Sequence, residues 1–285
     1  LLTRIQLNAD VIHGSGGGTL IFANSISKNL DIPYIIQYIG NDLNYDIKLL
    51  IKLKAYTEGI QNCAYHGFES YALESIFKSY FPQIANRVVL YRGTNDLGYK
   101  FSMGDETQVL YLGGFPYGDD IKGGSLLLNA IMSLNKRRLN SNICFNIGGP
   151  EIPDLSKFLQ SITNEKIRVK ILGALDHSEV ISEMQKSNIL LIPSRSEGLP
   201  NVLWEGLSTG NLVIANKVGG IPEILLEDDC GYLLENISSK SIEDALLNFL
   251  ANKELIEKYA LRGRNVVSNY SYKTFVENNI NLLTK

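Results

Sequence analysis

Little in this 285-residue sequence suits it to cross-linking, metal capture or membrane insertion. The three cysteines, Cys63, Cys144 and Cys230, are odd in number and far apart, which excludes a disulfide framework or a close-spaced zinc site and fits a reducing cytoplasm. No apolar run approaches the roughly 18 residues of a spanning helix, and the opening residues lack the charged and apolar regions of a signal peptide. A formal charge of −3 gives no electrostatic reason to expect nucleic acid or an anionic membrane as the main partner, although a local basic patch remains compatible with it. Neither an internal repeat nor a low-complexity tract is present. The chain opens Leu1-Leu-Thr-Arg4 without an initiator methionine and reaches the strand-like Asp10-Val-Ile-His13 almost at once, which reads as a fragment or a processed chain.

With 45% hydrophobic and 20% charged residues, the composition is that of a globular protein of one large or two modest domains. Short apolar runs alternate with helical patterns. The strand-like runs are 32–39, 87–91, 108–112, 143–147, 169–172, 189–192 and 212–215, and helix starts are expected at Ser178 and Ser241. Strand followed by helix, many times over, predicts parallel sheets covered on both faces. The runs end in Gly113-Gly114, Gly148-Gly149-Pro150, Gly173 and Ser194-Arg-Ser196, and ligands of open α/β sheets bind outside such carboxyl ends. A polar, aperiodic stretch, 99–106, suits a domain junction near Gly104. The tail from Ser271 reads as an amphipathic helix with Phe275, Val276, Ile280 and Leu283 near one face.

The most informative segment is Ile192-Pro-Ser-Arg-Ser-Glu-Gly-Leu-Pro-Asn-Val-Leu-Trp-Glu205. Locally it is strand, loop, helix, with the helix starting at Pro200 or Asn201. The amides of Asn201, Val202 and Leu203 are then expected to be free at the helix N-terminus, where an anion such as a diphosphate is favoured. Glu197 in the loop and Glu205 in the helix flank that point as acceptors for hydroxyl groups.

Glu197, seven intervening residues, then Glu205, with Glu197 inside Pro-Ser-x-x-Glu-Gly-x-Pro, resemble the signature of retaining glycosyltransferases of the GT4 type, which have the GT-B fold. Val109-Leu-Tyr-Leu-Gly-Gly114 followed by Lys122-Gly-Gly, Val218-Gly-Gly-Ile-Pro-Glu223 and Gly231-Tyr-Leu-Leu234 resemble further blocks of that family in the same order. Ile32-Pro-Tyr-Ile-Ile through Gly40-Asn-Asp42 resembles a strand of its acceptor-side domain. The resemblance implies an α/β, GT-B architecture of two Rossmann-like parallel-sheet domains: a truncated acceptor-side domain over 1–103, a donor domain over 104–265, and a final helix, 266–285, packing back on the first.

It also implies an enzyme that transfers a hexose-type sugar from a nucleoside-diphosphate sugar to a saccharide or lipid-linked saccharide, as in bacterial-type surface polysaccharide synthesis. That chemistry needs neither cofactor nor metal ion, and the sequence has no Asp-x-Asp triplet. Glu205 would bind the ribose, Glu197 the transferred sugar, and Lys122 the diphosphate. Gly113, Gly114, Gly198, Leu199, Pro200, Asn201 and Val202 would line the donor site, and His13 and Asp42 would stand on the acceptor side. The expected location is the cytoplasm, with room for peripheral attachment at the inner face of the membrane.

Three departures from the family pattern stand out, the largest being that the βα units with a Gly-rich loop with which family members begin are not found before Asp10, Ser15-Gly-Gly-Gly18 reading as a turn; the other two are single residues. Gly114 replaces a usual arginine, for which Arg195 is the candidate substitute, and Ile39 replaces a usual histidine. Two other readings remain open at this level, a nucleotide-sugar-binding fragment without turnover and a nucleotide-sugar epimerase. Asp119-Asp120 reads as a solvated turn, Trp204 as packing, and His66 and His177 as structural or exposed. Gly219-Gly220 is balanced between a plain turn and a site loop.

Overall fold

The computed structural model describes residues 9–40, 42–114, 120–150 and 154–283. Asn41 and Asp119, named above, lie outside them, as does the side chain of Leu283. The chain divides into two compact units, one containing the residues up to Tyr91 and those from Phe275 onward, the other Arg92–Thr274.

The first unit contains β1 (Ile12–Ser15), α1 (Leu20–Leu30), β2 (Tyr34–Tyr38), α2 (Ile47–Leu50), α3 (Lys54–Asn62), β3 (Tyr65–Phe68), α4 (Tyr71–Tyr80) and β4 (Arg87–Val89). Its sheet is parallel in the order β1-β2-β3-β4, with Ile12 opposite Tyr34, Ile35 opposite Tyr65 and His66 opposite Arg87. All five residues of β2 are buried, as the unbroken apolar run requires of a strand covered on both faces. Strand β3 was not expected, because Tyr-His-Gly-Phe has no run of β-branched residues. Pairing on both sides imposes it.

His66 is fully buried. Its Nε2 lies 3.0 Å from the Ile60 carbonyl, which can only accept, so Nε2 carries the proton and Nδ1 accepts from the Tyr38 hydroxyl at 3.2 Å. Burial pushes its pKa down to about 4.

The second unit contains β5 (Glu106–Leu112), α5 (Gly124–Asn135), β6 (Asn142–Gly148), α6 (Ser156–Gln160), β7 (Ile167–Gly173), α7 (His177–Lys186), β8 (Ile189–Ile192), α8 (Asn201–Thr209), β9 (Leu212–Ala215), α9 (Ile221–Leu225), β10 (Tyr232–Leu233), α10 (Ser239–Ala251) and α11 (Lys253–Val267). A last helix, α12 (Tyr272–Leu283), begins in this unit and ends in the first. The parallel sheet runs β10-β9-β8-β5-β6-β7. Helices α5 and α10 pack together over a core of Val109, Tyr111, Ile143, Phe145, Ile189, Leu191, Leu212 and Ile214. Helix α8 packs on α11 and β9. Trp204 is buried against Tyr270, with ring centroids 5.2 Å apart.

The aperiodic stretch before β5 is held by this second unit. The Leu97 amide donates to Ser208 Oγ, the Lys100 amide to the Thr209 carbonyl, and Asn188 Nδ2 to the Ser102 carbonyl. Two helix starts lie upstream of the serines expected to mark them. Asp176 caps α7 in a reciprocal box with Glu179, and Ser238 caps α10 by accepting from the Ser241 amide. In both cases the cap is the residue whose side chain reaches an otherwise unpaired first-turn amide. Among the described residues no helix is long and apolar enough to cross a membrane.

The buried imidazole makes stability pH-dependent. Its pKa is lower folded than unfolded, so its contribution is complete above about pH 6.5 and is lost as the pH falls toward about 4. Over that interval it removes about 3 kcal/mol, at roughly 1.4 kcal/mol per pKa unit. Urea midpoints at pH 7.5 and 4.5 check this: His66→Gln should start less stable and lose less on acidification than the parent. Equal losses would refute the assignment.

Candidate functional site

In the second unit the chain winds from β5 outward to β7, then crosses back to β8 and winds the other way through β9 to β10. The crevice at the carboxyl ends of β5 and β8 is therefore a topological switch point, where loops diverge and leave room for a ligand. Gly113-Gly114 follow β5, and Pro193 through Pro200 follow β8.

Three backbone approaches fix the loops around this crevice. The Arg195 amide donates to the Ile121 carbonyl at 2.7 Å. Gly123, at φ +72°, sits where a Cβ would come within 2.1 Å of the Pro193 carbonyl oxygen. Gly219, at φ +54°, lies so near the Glu197 and Gly198 carbonyls that a Cβ would stand 2.4 and 2.5 Å from them, and the Gly220 amide donates to Gly198 at 2.6 Å. Gly219-Gly220 is thus a brace for the Glu197 loop. Buried Asn216, at the end of β9, adds two donations from Nδ2, to Pro193 O at 2.8 Å and Ser194 O at 3.0 Å.

This bracing brings Lys122 and Glu197, 75 residues apart in sequence, to 2.6 Å between Nζ and Oε1. The Glu197 side chain is 10% exposed and that of Lys122 43%, so the carboxylate is walled in while the ammonium reaches solvent. Together with Tyr111, Pro193, Ser194, Pro200, Asn201 and Val202 they line a cleft of about 280 Å³. Pro200 stands at the N-cap of α8 in an extended conformation and supplies no side-chain cap. The amides of Asn201 and Val202 have no acceptor among the described residues. The Leu203 amide, expected to be free, donates to the Pro200 carbonyl at 3.1 Å because the first turn of the helix is tight.

The other residues expected to line the donor site divide by burial. Gly113 has no room for a side chain, with Tyr111 Oη and Lys122 Cβ at 2.6 and 3.0 Å from the position of a Cβ. The Gly114 carbonyl accepts from Tyr111 Oη at 3.4 Å. Leu199 is buried, and Gly198 is occupied as an acceptor. Arg195 is turned onto Asp120 at 3.5 Å.

Glu205 lines a second cleft, also of about 280 Å³, with Arg92, Gly93, Thr94, Asn95, His177, Asn201 and Tyr272. Asn201 borders both clefts, so the two glutamates serve adjoining spaces separated by the start of α8. His177, the first residue of α7, places Nε2 3.0 Å from Glu205 Oε1. Sequence reading set His177 aside. The capping box at Asp176, which fixes where α7 begins and so where His177 projects, was the available signal.

The sequence model for glycosyl transferases group 1 matches residues 101–266, more than half of the chain. The chain belongs to that family. An uncharacterized glycosyltransferase of Methanocaldococcus jannaschii is 27% identical over 273 residues, covering 94% of this chain and 73% of that protein. Sucrose-phosphate synthase from Thermosynechococcus elongatus superposes with a TM-score of 0.81 at 18% identity, over 97% of this chain and 73% of that one. Anabaena HepE, solved with UDP, gives 0.78 at 17% identity, over 96% and 78%. The fold is GT-B, built from two Rossmann-like parallel-sheet units.

In this group 1 glycosyltransferase the two residues assigned to the acceptor side lie in the first unit. His13 is on β1 and exposed. Asp42 is buried, with its carboxylate accepting from the amides of Gly17, Gly40 and Leu43 at 2.7, 2.8 and 3.2 Å. Burial raises its pKa in spite of these bonds, which act to lower it. The clamp ties the glycine turn after β1 to the end of β2. Among the described residues no three His, Cys, Asp or Glu side chains converge to hold a metal ion.

Bracing of the Glu197 loop has a direct test. Gly219→Ala combines a left-handed backbone with a backbone clash and is expected to destabilise the second unit by about 1–3 kcal/mol. Gly173→Ala shares the positive φ, +74°, but meets nothing within 4 Å, leaving backbone strain of roughly 1–2 kcal/mol alone. Denaturant midpoints of the two variants should rank in that order, and a Gly219→Ala midpoint equal to the parent's would exclude the close approach.

Proposed function

We propose that this glycosyltransferase moves a hexose-type sugar, with retention of anomeric configuration and without a metal ion, from a nucleoside-diphosphate sugar to a saccharide or lipid-linked saccharide in surface glycoconjugate synthesis on the cytoplasmic side. The observation that carries the reading is the meeting of Lys122 and Glu197 beside the unpaired Asn201 and Val202 amides at the sheet switch point. HepE, of the same fold, binds UDP.

The chemistry follows from charge. As the bond between the sugar and the diphosphate breaks, negative charge grows on the leaving phosphate and positive charge on the sugar ring. Lys122 and the α8 amides meet the first, and the Glu197 carboxylate meets the second. Donors fixed in place before the reaction pay no reorganisation cost, and each can contribute roughly 10²–10³-fold in rate. Glu205, with one oxygen held by His177, turns the other toward the vicinal hydroxyls of a ribose. His177 is then a positioning residue for nucleotide binding.

Glu197→Ala and Lys122→Ala are expected to lower turnover by about 10²–10³-fold, and Glu205→Ala to weaken nucleotide binding about tenfold or more, a loss of at least roughly 1.4 kcal/mol. Titration calorimetry with a panel of nucleoside diphosphates and their sugar conjugates, followed by product analysis with and without acceptor, makes the test. Unchanged turnover in both glutamate variants would sink the reading. His177→Ala should raise the donor KM with kcat little altered, and His177→Gln, which retains an N–H donor, should recover most of the loss.

A further inference from the structure

The cleft around Glu205 offers more than a ribose needs. Apart from Glu205, its partner His177 and Asn201, it is walled by Arg92, Gly93, Thr94, Asn95 and Tyr272. These belong to two stretches of chain that pair with each other. Thr94 bridges Ser271, its amide donates to the Tyr270 carbonyl at 3.1 Å, and the Tyr272 amide donates back to the Thr94 carbonyl at 3.4 Å. Gly93, at φ +59°, lies so close to Tyr270 that a Cβ would stand 1.9 Å from its carbonyl oxygen. Tyr270 is itself fixed, with its ring against Trp204 and its hydroxyl donating to Glu227 at 2.7 Å. The backbone of this wall is therefore set before any ligand arrives.

Arg92 is the one wall residue with a full charge. It is half-buried and makes no ion pair or hydrogen bond among the described residues. The acids within reach of this stretch are engaged elsewhere: Glu205 meets His177, and Asp96 pairs with Arg264. Drawing a guanidinium partly out of water without a partner costs free energy, which an acceptor atom on a ligand offsets. A nucleoside diphosphate runs phosphates, ribose, base. With the phosphates beside Lys122 and the ribose on Glu205, the base comes last, and the part of the cleft still unused is the wall that holds Arg92.

The chemistry of that wall chooses among bases. Thr94 and Asn95 side chains can each donate and accept, so they suit any base, whereas a guanidinium can only donate. It pairs with a carbonyl oxygen, O6 of guanine or O4 of uracil, and at the equivalent edge of adenine or cytosine it meets an amino group, donor against donor. Tyr272 adds a ring, and stacking on an aromatic ring is tolerant of which base stacks.

We infer that Arg92 selects the base of the sugar donor, admitting uracil or guanine, which carry a carbonyl oxygen at that edge, over cytosine and adenine. The inference rests on the reading of Glu205 as the ribose ligand. Titration calorimetry of the full chain with UDP, GDP, CDP and ADP tests it. UDP and GDP should each bind about tenfold or more tighter than CDP and ADP, the worth of one well-placed guanidinium–base pair, and the order between UDP and GDP tells which of the two bases the cleft fits.

Arg92→Gln, whose amide both donates and accepts, should weaken UDP and GDP by that factor and leave CDP and ADP little changed. Arg92→Lys, which keeps the charge without the planar fork, should also narrow the ranking. Tyr272→Ala should weaken all four alike, by about fivefold or more. Thermal melts check that the variants fold, and the parent's own ranking is decisive even where one does not. A loss in Arg92→Gln shared equally by all four nucleotides would make Arg92 a partner of the phosphates or a structural residue, and the inference would fall. A parent that binds all four alike, or prefers CDP or ADP, would overturn it, as would an unchanged Tyr272→Ala, which would put the base outside this cleft. In each of these cases donor binding itself stands, whereas a parent that binds none of the four removes both readings.

Discussion

Close approach between loop backbones is the constraint on which the candidate site depends. Lys122 follows β5, whereas Glu197 and the start of α8 follow β8, and the two segments meet beyond the ends of their strands. The Ile121–Arg195 hydrogen bond, the contact of Gly123 with Pro193 and the seating of Gly219 on Glu197 and Gly198 hold them in place. The last two contacts need a residue without a side chain, and Gly123 and Gly219 also hold a positive φ that other residues adopt at a cost. Asn216 completes the arrangement by satisfying carbonyls of a turn that would otherwise be buried without partners.

Charge is arranged within that frame with little redundancy. Each glutamate has a nitrogen partner from another segment: Lys122, before α5, for Glu197, and His177, at the start of α7, for Glu205. Both carboxylates are shielded by the protein while their partners are the more exposed member. A ligand entering either cleft thus meets carboxylates already oriented. The unpaired amides of α8 lie between the two, where the helix dipole favours negative charge.

The first unit uses buried polar groups for a different purpose. Asp42 gathers three amides from two loops, and His66, held neutral by burial, joins β3 to the carbonyl of Ile60 and the hydroxyl of Tyr38. These are structural bonds in a small four-stranded unit.

What the sequence by itself determined was whatever a local pattern encodes. Apolar runs predicted nearly all the long strands because burial on both faces demands continuous hydrophobicity. The Pro-Ser-x-x-Glu-Gly-x-Pro segment placed Glu197 before a helix and Glu205 within it because proline, asparagine and glycine have fixed preferences at helix ends. Tertiary structure decided the rest. Strand β3 exists through its neighbours, and Leu203 loses its free amide to the tightness of a turn. Arg195 is drawn to Asp120, and His177 reaches Glu205 because α7 and α8 pack side by side. A partner chosen across 28 or 75 residues depends on where separate loops come to rest, and no local pattern carries that information.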